Sequence, residues 1–267
     1  LGAAPTFARA HVEFIPGNES YKRHQPIKEI QSLRERYADA HGFPRRQPIP
    51  RLTELDDIAA ARAYAASPHE PGHPQVARSY RSFRQHIAQQ WDMLTNAGYR
   101  LEPWHGQSEQ PYADSAAMLN DLRQNRHLFY FRTEVSQHPE GALPPDHPMA
   151  KTVTVTMPDG QREPMVANDV FRAVHDAIAH SEGHQFGPYG EKRAWWTHRA
   201  CLPREARLAL WCETRGQNCW TNAGPHMTTS AEEGAPRLLQ RGEAGWMPVS
   251  SRPYAEQKCC RVDGALL

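Results

Sequence analysis

Between Pro74 and Gly98 the apolar residues Val76, Tyr80, Phe83, Ile87, Trp91 and Leu94 recur at spacings of 4, 3, 4, 4 and 3. That is the period of a helix burying one face, and Gly98 supplies its stop. A second, shorter helix is expected from Asp114 to Asn125, with Met118, Leu119 and Leu122 facing inward, followed by a buried strand at Leu128-Phe129-Tyr130-Phe131. Thr152 to Thr156 alternates with period two and runs into the turn Pro158-Asp159-Gly160, a small β element. Three short helices follow. The first is capped by Asn168 or Asp169, shows Val170, Phe171, Val174 and Ile178 on one face and ends near Gly183. The second runs from about Glu191 to Cys201 after the turn Gly187-Pro188-Tyr189-Gly190. The third opens at Pro203, buries Ala206, Leu208, Leu210 and Trp211, and ends or kinks at Gly216. Residues 1–52 are irregular, and the prolines between Pro44 and Pro50 favour an extended path. Residues 134–148 read as a loop, and the chain beyond Asn222 as irregular packing. The pattern predicts a mainly α fold: a compact helical domain at 57–267 with a small β element, preceded by an extended N-terminal arm and linker at 1–56.

Composition narrows the function classes. The 267 residues carry 31 Lys+Arg against 30 Asp+Glu, a formal net charge of +1, so no general field draws a polyanion and broad nucleic-acid binding is not expected. At 39% hydrophobic and 23% charged the chain has the means to build a core and lies outside the disordered class. No run approaches the ~18 apolar residues of a spanning helix, and Leu1 to Ala10 lacks a signal-peptide pattern, so a non-membrane, cytoplasmic protein is expected. The five cysteines are odd in number and form no CxxC pair, which fits reduced thiols and argues against a thiolate zinc site. Histidine is the one excess, at 15 residues.

Four of these histidines, His175, His180, His184 and His198, fall within 24 residues. Asp176 and His180 are four apart, as are His180 and His184. Glu191 and His198 are seven apart, and Glu213 and Gln217 four. At about 100° per residue each pair shares a helix face. Three successive helices can therefore turn ligands toward one point, the arrangement of carboxylate-bridged two-metal sites. The ligand set expected is His175, Asp176, His180, Glu191, His198 and Glu213. Imidazole with carboxylate suits iron, manganese or zinc. Each histidine taken singly is more often a cap or a core residue than a ligand. HExxH and the Glu-x-x-His pair of ferritin-like sites are both absent. His175-Asp176 alone does not complete the ligand set of an HD-type phosphohydrolase. Tyr80, Arg215, Gln217 and Trp220 are candidates for orienting a substrate, Arg215 by its fork and Trp220 as a wall.

The run Asn168-Asp169-Val170-Phe171-Arg172-Ala173-Val174-His175-Asp176, then His180, Gly190-Glu191, Ala194-Trp195, His198, Glu213-Thr214-Arg215-Gly216-Gln217-Asn218, Trp220, Asn222 and Gly224-Pro225-His226 resembles a domain family of large phage and prophage proteins. The similarity covers roughly residues 57 to 260 and brings a motif set without a reaction. The chain departs from that family at Cys219, Ala223 and His184. A weaker resemblance is to the helical di-iron oxygenases that make an indole nitrile from a tryptophan derivative. It implies two iron ions, dioxygen and an amino-acid substrate.

The function expected is a non-haem di-iron oxygenase or oxidase acting with O2 on a small amino-acid-like substrate, an aromatic one among the options. Two alternatives stand beside it. One is a zinc or manganese metallohydrolase using the same stripe, and the other a non-catalytic phage-type structural or interaction module.

Overall fold

The computed structural model describes residues 21, 23–45, 52–106, 110–133, 143–229 and 235–267. Its axis is helix α3, Pro74–Asn96, whose six predicted inward residues are all inaccessible to solvent. Pro74 at its first turn has no N–H to leave unpaired, and His73 Nδ1 accepts the Gln75 N–H at 3.2 Å. Near its C-terminal end the Trp91 indole donates to Thr156 O at 3.0 Å, and Asp92 accepts the Thr156 N–H at 2.6 Å. These two bonds dock a hairpin on the helix.

The β structure is two separate pairs, where the alternation pattern predicts one small element. Strands β1, Arg100–Pro103, and β2, His127–Tyr130, run parallel and are joined through α4, Ser115–Gln124, whose N-cap is Asp114. Strands β3, Thr152–Thr156, and β4, Arg162–Val166, form the antiparallel hairpin. The partner strand β4 carries Arg, Glu and Pro and so lacks the apolar alternation that marks β3.

One helix lies within the expected irregular arm and linker, and a second begins at its end. Helix α1, Lys28–Ala40, buries Ile30, Leu33 and Tyr37, a 3- and 4-residue stripe against α3 and α5. Its charged residues dilute that stripe in the sequence. Helix α2, Glu54–Ala66, opens with a reciprocal Thr53–Asp56 capping box, so a boundary at 56/57 cuts through its first turn. The described part of the 1–56 segment thus belongs to the core; residues 1–20 and 46–51 lie outside the described residues, as do residues 134–142 of the expected loop.

Helix α5, Ala167–Ala179, starts without a side-chain cap. Asn168 and Asp169 sit inside its first turn and bind Thr133, Asp169 Oδ1 accepting the Thr133 N–H at 2.7 Å. A 3-10 turn, His180–Glu182, follows and closes at Gly183, where φ is +85°. A Cβ on Gly183 would sit 2.0 Å from His24 O. The close approach is held by His24 N–H to Gly183 O at 2.9 Å and Ile27 N–H to Ser181 O at 2.8 Å. Helix α6, Pro188–Arg199, begins ahead of the expected Glu191 because Pro188 is preset for its first turn. The last helical stretch continues through Gly216, where an end or kink is expected. It consists of α7, Arg207–Trp211, a wide π turn, Cys212–Gly216, and α8, Gln217–Ala223, packed on α2. All five cysteines are buried free thiols. Among the described residues no helix is long and apolar enough to cross a membrane.

Candidate metal centre

His175 projects from the last turns of α5 and is fully buried. His180 ends that helix, and its own backbone, with φ −78° and ψ −16°, leads into the 3-10 turn. Its backbone is still right-handed helical there, so the four-residue relation to Asp176 is kept and the charge of Asp176 reaches its ring. The His180 ring also stands against His175, with centroids 5.6 Å apart and planes nearly perpendicular. Glu191, in the first turn of α6, completes the group. His175 Nε2 lies 3.7 Å from Glu191 Oε2 and His180 Nε2 lies 3.4 Å from Glu191 Oε1. One donor atom from each of the three falls within 4.8 Å of the others.

Hydrogen bonds behind the rings decide which nitrogen carries a proton. Gln90 donates its amide to Cys201 O at 3.0 Å, so its carbonyl oxygen faces His198 Nε2 at 2.9 Å and must accept from it. Burial holds His198 neutral, its pKa well below the ordinary value. Its Nδ1 is therefore a lone pair, and the 3.2 Å contact with His175 Nδ1 is a bond donated by His175. The nitrogen that His175 turns toward Glu191 is consequently Nε2. His180 Nδ1 faces His184 O at 3.0 Å. A carbonyl only accepts, so this ring too presents its Nε2 lone pair to the centre. That nitrogen has no hydrogen-bond partner among the described residues despite being buried.

Two imidazole Nε2 atoms and a carboxylate thus converge on one buried point, an arrangement that a cation bridges. The donor set fits a metal ion. In the absence of an ion a proton takes that place. Burial lowers the His180 pKa, but the charges of Glu191 and Asp176 outweigh it and carry the group up to about 9. Burial likewise raises Glu191, and His180 and His175 outweigh it, bringing the carboxyl down to about 2.

Comparison with protein-family models, curated proteins and solved structures finds no match. The functional reading accordingly rests on these side chains.

The other expected ligands take different posts. Asp176 lies near enough to act on His180 by its charge, and burial pushes its own carboxyl up to about 7. His198 spends both ring nitrogens on the relay. Glu213, in the π turn, belongs to a second buried group in which it accepts from the Tyr80 hydroxyl, with His147 Nε2 3.4 Å from its Oε1. The His147 Nδ1 accepts the Met149 N–H at 3.2 Å, so its Nε2 carries a proton toward Glu213 and is a donor rather than a ligand. Burial raises the Glu213 carboxyl to about 7. Arg172, which donates to Phe131 O at 3.2 Å, feels the charges of Asp169, Asp176 and Glu213.

Of the substrate candidates, only Tyr80 stands in this buried layer. Arg215 is committed to Asp57 Oδ1 at 3.2 Å and to the face of Trp195 at 5.2 Å. Gln217 pairs with Gln257, and Trp220 packs on the core and on His226. Arg215 thus ties the π turn to α2, Gln217 ties α8 to the C-terminal segment, and Trp220 holds the turn that follows α8. Gln90 and His147 are site residues that the sequence reading passes over. Gln90 left a signal, a polar residue on the Ile87–Trp91–Leu94 face of α3.

Buried neutral histidines make stability depend on pH. Burial pulls His147 down to about 3 and His184 to about 2, both below the ~6.5 of an unfolded chain. Their contribution is whole above pH ~6.5. It falls as pH drops below that value, because the unfolded chain binds the proton first, by up to about 1.4 kcal/mol per group per pH unit. His180 works the other way, its contribution being whole below pH ~6.5 and lost toward 9. Urea denaturation of metal-free protein is expected to show maximal stability near neutrality and a steep decline between pH 6 and 5. A flat profile there would mean the histidines are not buried neutral.

Proposed function

We propose that this chain is a metal-dependent oxidoreductase whose ion is held by His175 Nε2, His180 Nε2 and Glu191. The observation that carries the reading is the convergence of His175 Nε2, His180 Nε2 and the Glu191 carboxylate, with donor atoms within 4.8 Å of one another, on two rings whose Nδ1 atoms are engaged elsewhere. Two histidines and a carboxylate form the donor set of non-haem iron oxygenases, which leaves positions open for O2 and substrate. Iron bound there supplies one-electron chemistry with dioxygen. The protein's own contribution is to hold the two rings in one tautomer, to keep the centre buried and to set a protonatable carboxyl, Asp176, beside it. The two-iron form of this reading draws further carboxylates from Asp176 and Glu213, both buried and both pushed up to about 7. A small amino-acid-like substrate remains the class proposed.

The same donor set serves catalytic zinc, and the buried Asp176 carboxyl, close enough to His180 for their charges to act on each other, is the candidate general base. This favours a metallohydrolase as the second reading. Anaerobic loading with ferrous ion, followed by O2 and absorbance spectroscopy, separates the two. The oxidoreductase reading expects one or two irons per chain and an oxygen-dependent spectral change. Selective uptake of zinc with no response to O2 would transfer the assignment to the hydrolase.

The relay gives a finer test. Gln90→Met removes the acceptor that fixes the His198 tautomer, leaving His198 free to turn its proton toward His175. Ferrous affinity, measured by competition with a chromophoric chelator, is expected to fall about 10- to 100-fold at unchanged stoichiometry. Unchanged affinity would show that the ring orientation is set by packing alone.

A further inference from the structure

Helix α6 has two working faces. Glu191, Trp195 and His198 look into the protein, and Arg193, Trp196, Thr197 and Ala200 lie about half a turn around the helix. This second face lines an open hollow of about 370 Å³, bordered by the segment ahead of α1, by α1 and Arg45 beyond it, and by the loop after α5. The volume lies in the range of small-molecule pockets. The lining is dominated by guanidinium groups from Arg23, Arg34, Arg45 and Arg193, with Glu35 and Glu182 as the acids.

Most of this charge is already answered. Glu182 takes Arg23, Arg34 at 2.8 Å and Gln31 at 2.9 Å, and Arg45 is held by Asp39 at 2.6 Å. Arg193 differs. Among the described residues no carboxylate pairs with it; one Nη donates to Tyr189 Oη at 3.2 Å and its buried Nε has no acceptor. Its guanidinium lies over the rings of Tyr189, at 5.6 Å, and Tyr21, at 5.9 Å, which fixes the fork. Thr197 adds a hydroxyl and Trp196 a flat apolar wall.

We propose that this hollow is a binding site for a small oxyanion-bearing molecule, a phosphate ester or a carboxylate, with Arg193 as its anchor. A rigid guanidinium fork matches two oxygens of either group. The spare volume and the Trp196 wall accommodate a ring attached to the anion. The site is on the opposite face of α6 from Glu191, so it stands whether or not the centre holds a metal.

The test is calorimetric titration of the metal-free full chain, at fixed ionic strength, with phenyl phosphate and with benzoate. Saturable one-to-one binding of at least one of them is expected. Tighter phenyl phosphate marks a phosphate-ester site and tighter benzoate a carboxylate site. Arg193→Gln is expected to weaken binding at least tenfold. Arg23→Gln, at the rim where 44% of the side chain is exposed, is expected to weaken it several-fold and serves if the first variant does not fold. Absence of saturable binding by both probes, or affinity unchanged in a folded variant, overturns the proposal.

Discussion

His180→Ala is expected to reduce bound metal from about one ion or more per chain to less than about a tenth of that at micromolar metal, while the chain stays folded. Glu191→Ala should do the same. Each removes one of three donors, and metal-binding free energy depends on a preformed set whose members compensate the desolvated charge together. The alanine at 180 also removes the proton carrier that balances Glu191 in metal-free protein, so some stability is lost with it. Circular dichroism separates this from unfolding. Metal analysis after gel filtration decides the matter: near-stoichiometric metal in a folded His180→Ala protein would remove the proposed centre. Glu213→Gln is the informative companion. Loss of half the metal would place a second ion near Tyr80, whereas full retention would leave a single ion.

Gly190→Ala is the second large effect expected. A Cβ at this position would lie 1.7 Å from Gln185 O and 2.6 Å from Gln185 C. Both are backbone atoms that cannot rotate aside, so the start of α6 has to move away from the loop that follows His180. A loss of more than about 3 kcal/mol is expected in urea denaturation, the range of severe single substitutions. Metal affinity should fall with it, since Glu191 is the next residue. Gly72→Ala provides the contrast: a Cβ there meets nothing within 4 Å, and stability should stay within about 0.5 kcal/mol. Equal behaviour of the two variants would refute the close approach.

The stripe of α3 could be read from spacing, and the grouping of His175, His180 and Glu191 from residue type and clustering, because hydrophobic period and residue type are local properties. What failed to transfer depended on partners distant in sequence. His198 does share a face with Glu191, as their seven-residue interval implies, but its role is decided by Gln90, 108 residues away. Arg215 has the fork of an anion receptor, yet it is used by Asp57, 158 residues away. The Glu213–Gln217 interval crosses a π turn, where four residues no longer make about one α turn. Helix α1 was missed because three apolar positions among charges give too weak a period to stand out from a proline-flanked segment.

The bonds from His24 and Ile27 to Gly183 and Ser181 give the first described stretch of the chain a share in the proposed metal centre. They grip the turn that begins with His180, and that grip is tight enough to exclude a methyl group. A fragment cut at residue 57 would retain every proposed ligand and every motif in the densest part of the sequence, yet leave that turn without its brace. Ligand content and ligand geometry are therefore encoded in different parts of the chain, and the centre is a property of the whole polypeptide rather than of its motif-bearing portion.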